Sequence, residues 1–191
     1  MKISLATSIL LATALFFACK KEKKEEMYWP LGTYWKGPQT YGKVHALRNG
    51  EVWEGSGIAS YLEAYPTCSI SFGTFDPIDS VSTEDLSFSK VPYRVGQFVV
   101  HNSIVVVNNP IWVDSLSSLY ALLYDDLAGP FFYVDTTKNN WILIESIDSI
   151  QKIIKGKFDV TYRIEPNGEA NTKYPREVHF SEGMFEVKVH Q

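Results

Sequence analysis

The sequence predicts an all-β domain, an antiparallel β-sandwich with a closed β-barrel as the alternative, and three observations lead there. From residue 40 onward, apolar side chains recur every second residue rather than at the period of a helix. Asn49-Gly50 lies between two such runs, the strongest short hairpin signal, because both central residues of a type I′ turn need positive φ. About ten short strands then follow at roughly 8–12-residue spacing, with turn residues between them. Composition agrees. The chain has 191 residues, 45% of them hydrophobic, 14% aromatic and 21% charged, which is enough to bury one core and excludes a disordered or collagen-like chain. With 18 basic against 22 acidic groups and a net charge of −4, it lacks the basic surface that a nucleic-acid partner requires.

In chain order, the first element is a targeting segment. Lys2 is followed by an uncharged stretch from Ile3 to Ala18, too short to span a bilayer, which needs about 20 apolar residues. Residues 1–18 therefore read as a signal peptide. It ends in Leu15-Phe16-Phe17-Ala18-Cys19, which resembles the lipobox of bacterial lipoproteins, with Phe16 where Leu is usual. The resemblance implies that Cys19 becomes the first mature residue and carries lipid, so that the partner at this end is a membrane, the outer membrane of a Bacteroidota-like envelope. Several acyl chains anchor where one does not, since each buried methylene contributes about 0.8 kcal/mol. The alternative is a secretory peptide with an incidental Cys. Residues 19–27 form a charged tether, with four Lys and three Glu between Lys20 and Glu26, expected to be solvated and disordered. An acidic stretch soon after the Cys resembles the signal for export to the cell surface, but lysines interrupt it, so the periplasmic and surface faces both stay open. Without these segments the body, residues 28–191, holds 13 basic and 19 acidic groups.

That body reads as a single all-β domain. The strand candidates are Tyr41–Arg48, Glu51–Gly55, Thr67–Phe75, Leu86–Val91, Gly96–Val100, Ile104–Val107, Leu119–Tyr124, Phe131–Asp135, Trp141–Ile147, Ile153–Ile164, Glu177–Ser181 and Met184–Val189. Turn signals separate them: Asp76-Pro77, Asn108-Asn109-Pro110, Gly129-Pro130, Lys138-Asn139-Asn140, Pro166-Asn167-Gly168 and Glu182-Gly183. Gly55-Ser56-Gly57 reads as a flexible turn. Residues 57–65 are the one place for a short helix, with Ile58, Tyr61, Leu62 and Tyr65 at helical spacing and Pro66 as the stop.

The hairpin Val44 to Trp53, with Ala46, Asn49, Gly50 and Trp53 in fixed places, and the closing strands Gly156-Lys157-Phe158 and Gly183-Met184-Phe185 resemble a group of Bacteroidota lipoproteins of unknown function. Those chains open on an Ala-x-x-Asn-Gly-x-x-Trp hairpin and end in paired Gly-x-Phe strands. The resemblance covers most of residues 41–189. It implies an all-β domain, sandwich or lipocalin-like β-barrel, and carries over no catalytic residue.

Residues with chemistry are sparse. With Cys19 lipidated, Cys68 is alone, and alternation groups it with Ile70 and Phe72 on a buried face. His45, His101, His179 and His190 show no zinc-ligand spacing, although His45 and His179 could meet across strands. Asp76, Asp79, Glu84 and Asp85 are weak calcium candidates, and Asp125-Asp126 is a second acidic cluster. Two such carboxylates could also serve a hydrolase with a carboxylate-lined cleft, as in glycoside cleavage. No cofactor motif occurs: His-Glu-x-x-His, Gly-x-Ser-x-Gly and phosphate-loop patterns are all missing. Trp29, Tyr34 and Trp35 are the possible ligand-binding residues, since large rings stack on sugars and anchor protein partners. The alternative is that residues 28–41 strap an end of the β domain. The function expected is a lipid-anchored, non-catalytic binding or structural module, with a glycan-binding accessory lipoprotein as the alternative.

Overall fold

The structure, a computed structural model, describes residues 42–62, 66–75, 81–102, 115–124, 127–165 and 173–190. Alternation builds its strands. In Thr67–Phe75, Cys68, Ile70, Phe72 and Thr74 all point inward and every other residue points out. Within the described residues the strands are β1 (Gly42–Arg48), β2 (Glu51–Leu62), β3 (Thr67–Phe75), β4 (Ser82–Pro92), β5 (Gly96–Val99), β6 (His101–Asn102), β7 (Ser117–Tyr124), β8 (Leu127–Val134), β9 (Trp141–Asp148), β10 (Ile153–Ile164) and β11 (Glu177–His190).

Eight of them close a ring. The order β1-β2-β3-β4-β7-β8-β10-β11 is antiparallel at every step, and β11 pairs back onto β1. The all-β class expected from the sequence holds, and the architecture is the barrel rather than the sandwich. Strands of 12 and 14 residues coil far enough to meet, helped by bulges such as the one where Ser181 and Glu182 together oppose Asp159. Glu182 has φ 53, the conformation that this extra residue demands. The bulge also fuses the two strands expected at 177–181 and 184–189 into β11. Gly129-Pro130, expected as a turn, is likewise a bulge inside β8, where a missing N–H costs no ladder bond.

The short helix expected near 57–65 is not formed: residues 57–62 continue β2, and 63–65 lie outside the described residues. Tertiary pairing overrides the helical spacing, because Gly57 sits opposite Phe72 and makes room for its ring, while Ala59 is buried next in line. Gly55-Ser56-Gly57 is therefore strand interior and not a turn. The strand expected at 104–107 lies outside the described residues.

Rings fill the barrel. Phe72, Phe88, Phe158 and Phe185 form one layer, with Phe72 and Phe158 stacked at 5.6 Å. Trp53, Tyr120, Phe132, Tyr162 and Phe180 form the next, meeting mostly edge-on or tilted. The two Gly-x-Phe strands explain themselves here. In register, Gly156 faces Phe185 and Phe158 faces Gly183, so each ring lies over the other strand's glycine.

Along β10 the ladder changes partner. Its first half pairs with β9 and its second half with β8, and β9 carries β5 on its other side. Asn140 fills the fork. Its side-chain oxygen accepts from Thr161 N–H at 2.8 Å, and its amide donates to the Asp135 and Lys138 carbonyls. One side chain thus stands in for the missing stretch of strand.

Candidate functional site

Among the described residues, polar side chains gather inside the barrel and in two hollows on its outer wall, besides the Asn140 fork. Inside, alternation in Glu84-Asp85-Leu86-Ser87-Phe88 sends Glu84 to the interior with Leu86 and Phe88. There Arg48 donates to Glu84 Oε1 and Trp53 Nε1 donates to Oε2 at 2.5 Å. Arg48 stands at the end of β1, beside the Asn49-Gly50 turn, and Glu84 near the start of β4, so the pair lies toward one mouth of the barrel. Burial raises the Glu84 carboxyl above its ordinary range, opposed by the Arg48 charge and by hydrogen bonds from Trp53, Arg48 and Tyr120. Deeper in, Tyr162 donates to Ser118 at 2.5 Å, because the Ser118 proton goes to the Ser87 carbonyl at 2.7 Å.

On the outer wall, a groove of about 580 Å³ crosses β9, β10, β11, β1 and β2. Its floor is backbone at Gly42, Gly55 and Gly156, and its walls are charges in alternating sign. Lys155 meets Glu186 at 2.8 Å, Lys157 meets Glu145 at 2.7 Å, and His45 meets Glu54 at 3.3 Å. The hydrogen bond between Lys155 and Glu186 raises the lysine and lowers the acid. Met184, half exposed, lies among them. A second hollow of about 410 Å³ lies over β2, β3 and β4, with Asp85 on its border.

The candidates read from the sequence fall as follows. Cys19, Trp29, Tyr34, Trp35, Asp76, Asp79, Asp125 and Asp126 lie outside the described residues. Glu84 and Asp85 are separated by the pleat, one inside and one outside, so they do not face a common ion. Among the described residues no three His, Cys, Asp or Glu side chains gather as a metal site. Cys68 is a core residue, 1% exposed, its thiol pushed up to about 12 by burial. His45 and His179 do not meet. They stand five residues apart in the β11 register, His45 against Glu54 and His179 against Asp159 at 2.8 Å. Phe131-Phe132-Tyr133 splits as alternation requires, Phe132 inside and its neighbours on the outer wall.

Sequence reasoning missed both grooves and the Asn140 fork. For Glu84 a signal was present, since period two places it in line with Leu86 and Phe88. For the grooves there was none, because they arise from strand coiling. No protein-family model, no curated protein and no solved structure matches this chain.

Proposed function

We propose that the chain is a lipid-anchored, non-catalytic module of the outer membrane, holding a β-barrel on a charged tether and using the barrel's outer wall to bind or brace a partner. The observation that carries this reading is the Ala18-Cys19 junction, where an apolar stretch ends in a small residue and a thiol and a mixed-charge tether follows at once. Two features of the barrel support it. Rings occupy the interior, so binding falls to the wall and the mouths. The polarity is also the reverse of a membrane-spanning barrel: Lys43, Glu145, Lys155, Lys157 and Glu186 stand outward on neighbouring strands around an apolar inside. The lipid is then the route to the bilayer.

Labelling with radioactive palmitate in a bacterial host tests the anchor. The full chain is expected to take label and sediment with membrane, and Cys19→Ala to do neither. A Cys19→Ala chain that still labels and sediments overturns the proposal. A second reading, a glycan-binding accessory lipoprotein, rests on Tyr28, Trp29, Tyr34, Trp35 and Tyr41 crowding into fourteen residues ahead of the first hairpin. A glycan array with Trp29→Ala and Trp35→Ala as controls decides it, and silence across the array retires it.

A further inference from the structure

On the outer wall one registered row crosses β2, β3 and β4: Ser56 faces Gly73, and Gly73 faces Asp85. Gly73 has no side chain, so the row dips in the middle. The Phe75 ring leans over the dip, close enough that a Cβ on Gly73 would lie 3.5 Å from it. This is the floor of the 410 Å³ hollow, a volume within the range of small-ligand pockets. Ile58 and Phe75 wall it, and the hydroxyls of Ser56, Ser71 and Ser82 line it.

Among the described residues Asp85 is the one charged group on this hollow. It is mostly buried, and burial pushes its carboxyl up to about 6. Among the described residues no donor or cation meets it, in contrast to Glu84 next door, which has Arg48 and Trp53. A desolvated carboxylate without a partner is costly, and a fold that retains one leaves an interaction open to something outside it.

We propose that this hollow binds a primary ammonium group carried on a slim alkyl stem. The ammonium meets Asp85 and the serine oxygens, and the stem lies along Ile58 and Phe75. Four observations select that chemistry. A single carboxylate calls for a single positive charge. Hydroxyl oxygens accept from the remaining N–H groups, and Ser82 keeps its lone pairs for this because its proton points to the Thr74 and Glu84 carbonyls. The Phe75 ring borders the same hollow as Asp85 and adds an aromatic wall for an alkylammonium stem. Among the described residues the hollow offers one carboxylate and three hydroxyls, too few hard anionic donors to hold calcium. The inference goes beyond the anchored-module reading and stands whether or not Cys19 is lipidated.

The test uses the full chain in detergent, with cadaverine as the free amine, an acetylated and amidated Gly-Lys-Gly peptide as the protein-borne amine, 1-pentanol as the neutral control and calcium as the competing cation. Carboxyl-carbon NMR follows the titration of Asp85, and calorimetry at pH 7.5 reads affinity. At least one amine is expected to bind and to lower the Asp85 midpoint by a pH unit or more, a tenfold coupling. Asp85→Asn is expected to lose at least tenfold in affinity, and Ser71→Leu, which fills the hollow but keeps the acid, to lose binding as well. Tighter cadaverine binding assigns the site to a free amine, and tighter peptide binding to a lysine of a partner protein. Equal binding of 1-pentanol, calcium binding in place of both amines, an unmoved Asp85 midpoint, or Asp85→Asn binding as well as the parent overturns the proposal.

Discussion

Glu84 and Asp85 are neighbours in β4, yet they respond to substitution in opposite ways because, among the described residues, the pleat gives one a cation and leaves the other without. Glu84→Gln removes the carboxylate charge that faces the buried Arg48 guanidinium, and breaking a buried pair from one side costs about 3–5 kcal/mol. Urea unfolding should show that loss, while Arg48→Met with Glu84→Gln should recover most of it, the Gln oxygen still accepting from Trp53. Asp85→Asn should leave the fold intact and raise its stability at pH 7.5. The folded carboxyl titrates near 6 against an ordinary 3.8, so the charged form is disfavoured by folding. For the parent chain, stability therefore rises as pH falls from above 6 toward 4, by up to about 3 kcal/mol. In Asp85→Asn this part of the slope should be lost, leaving the share of the Glu84 carboxyl, which burial also raises, and an unchanged slope in thermal melts across pH 4–8 would show that Asp85 does not set it. Alternation alone places Glu84 inside and Asp85 outside. What it hides is that no described residue partners Asp85, which depends on the next two strands presenting Gly and Ser in its row.

At the scale of the strand, glycines mark where two elements come closest, and they are not equivalent. A Cβ on Gly156 would lie 2.2 Å from the Leu143 carbonyl oxygen and 2.6 Å from the Phe185 ring, and a backbone atom cannot step aside. A Cβ on Gly73 would meet nothing nearer than 3.4 Å. Gly156→Ala should cost about 2–3 kcal/mol by overpacking, while Gly73→Ala should stay within about 0.5 kcal/mol of the parent. Chemical denaturation of the two variants side by side checks the ordering. The Gly-x-Phe spacing was readable as a motif and the Asn49-Gly50 hairpin as a turn, because both are local. The fusion of two expected strands across Glu182-Gly183 was not, since the same dipeptide that makes a tight turn also makes a bulge when a partner strand lies on each side.

For the molecule as a whole, period-two patterning says that a sheet has one apolar face, and it is silent on whether that face meets a second sheet or curls onto itself. Closure is set by strand length, bulges and the pairing of the two ends of the chain, none of which leaves a short-range signature. The anchor and the barrel are legible to different degrees for the same reason: a lipobox is five adjacent residues, a groove on a coiled wall is twelve residues from five strands. The seam between β1 and β11 adds an order in time. Val44 and Phe185 are partners across it, so the first strand waits for the last one to emerge from the ribosome or from a membrane channel. Until then both flanking strands show open edges, which are templates for self-association. A chain cut after Arg176, lacking only β11, should therefore collect in aggregates rather than fold into a seven-stranded remnant, and sedimentation of the cut and full chains side by side would show it. Any cell that makes this protein has to keep the open edges of β1 and β10 from sticking to their neighbours until the fourteen residues of β11 arrive.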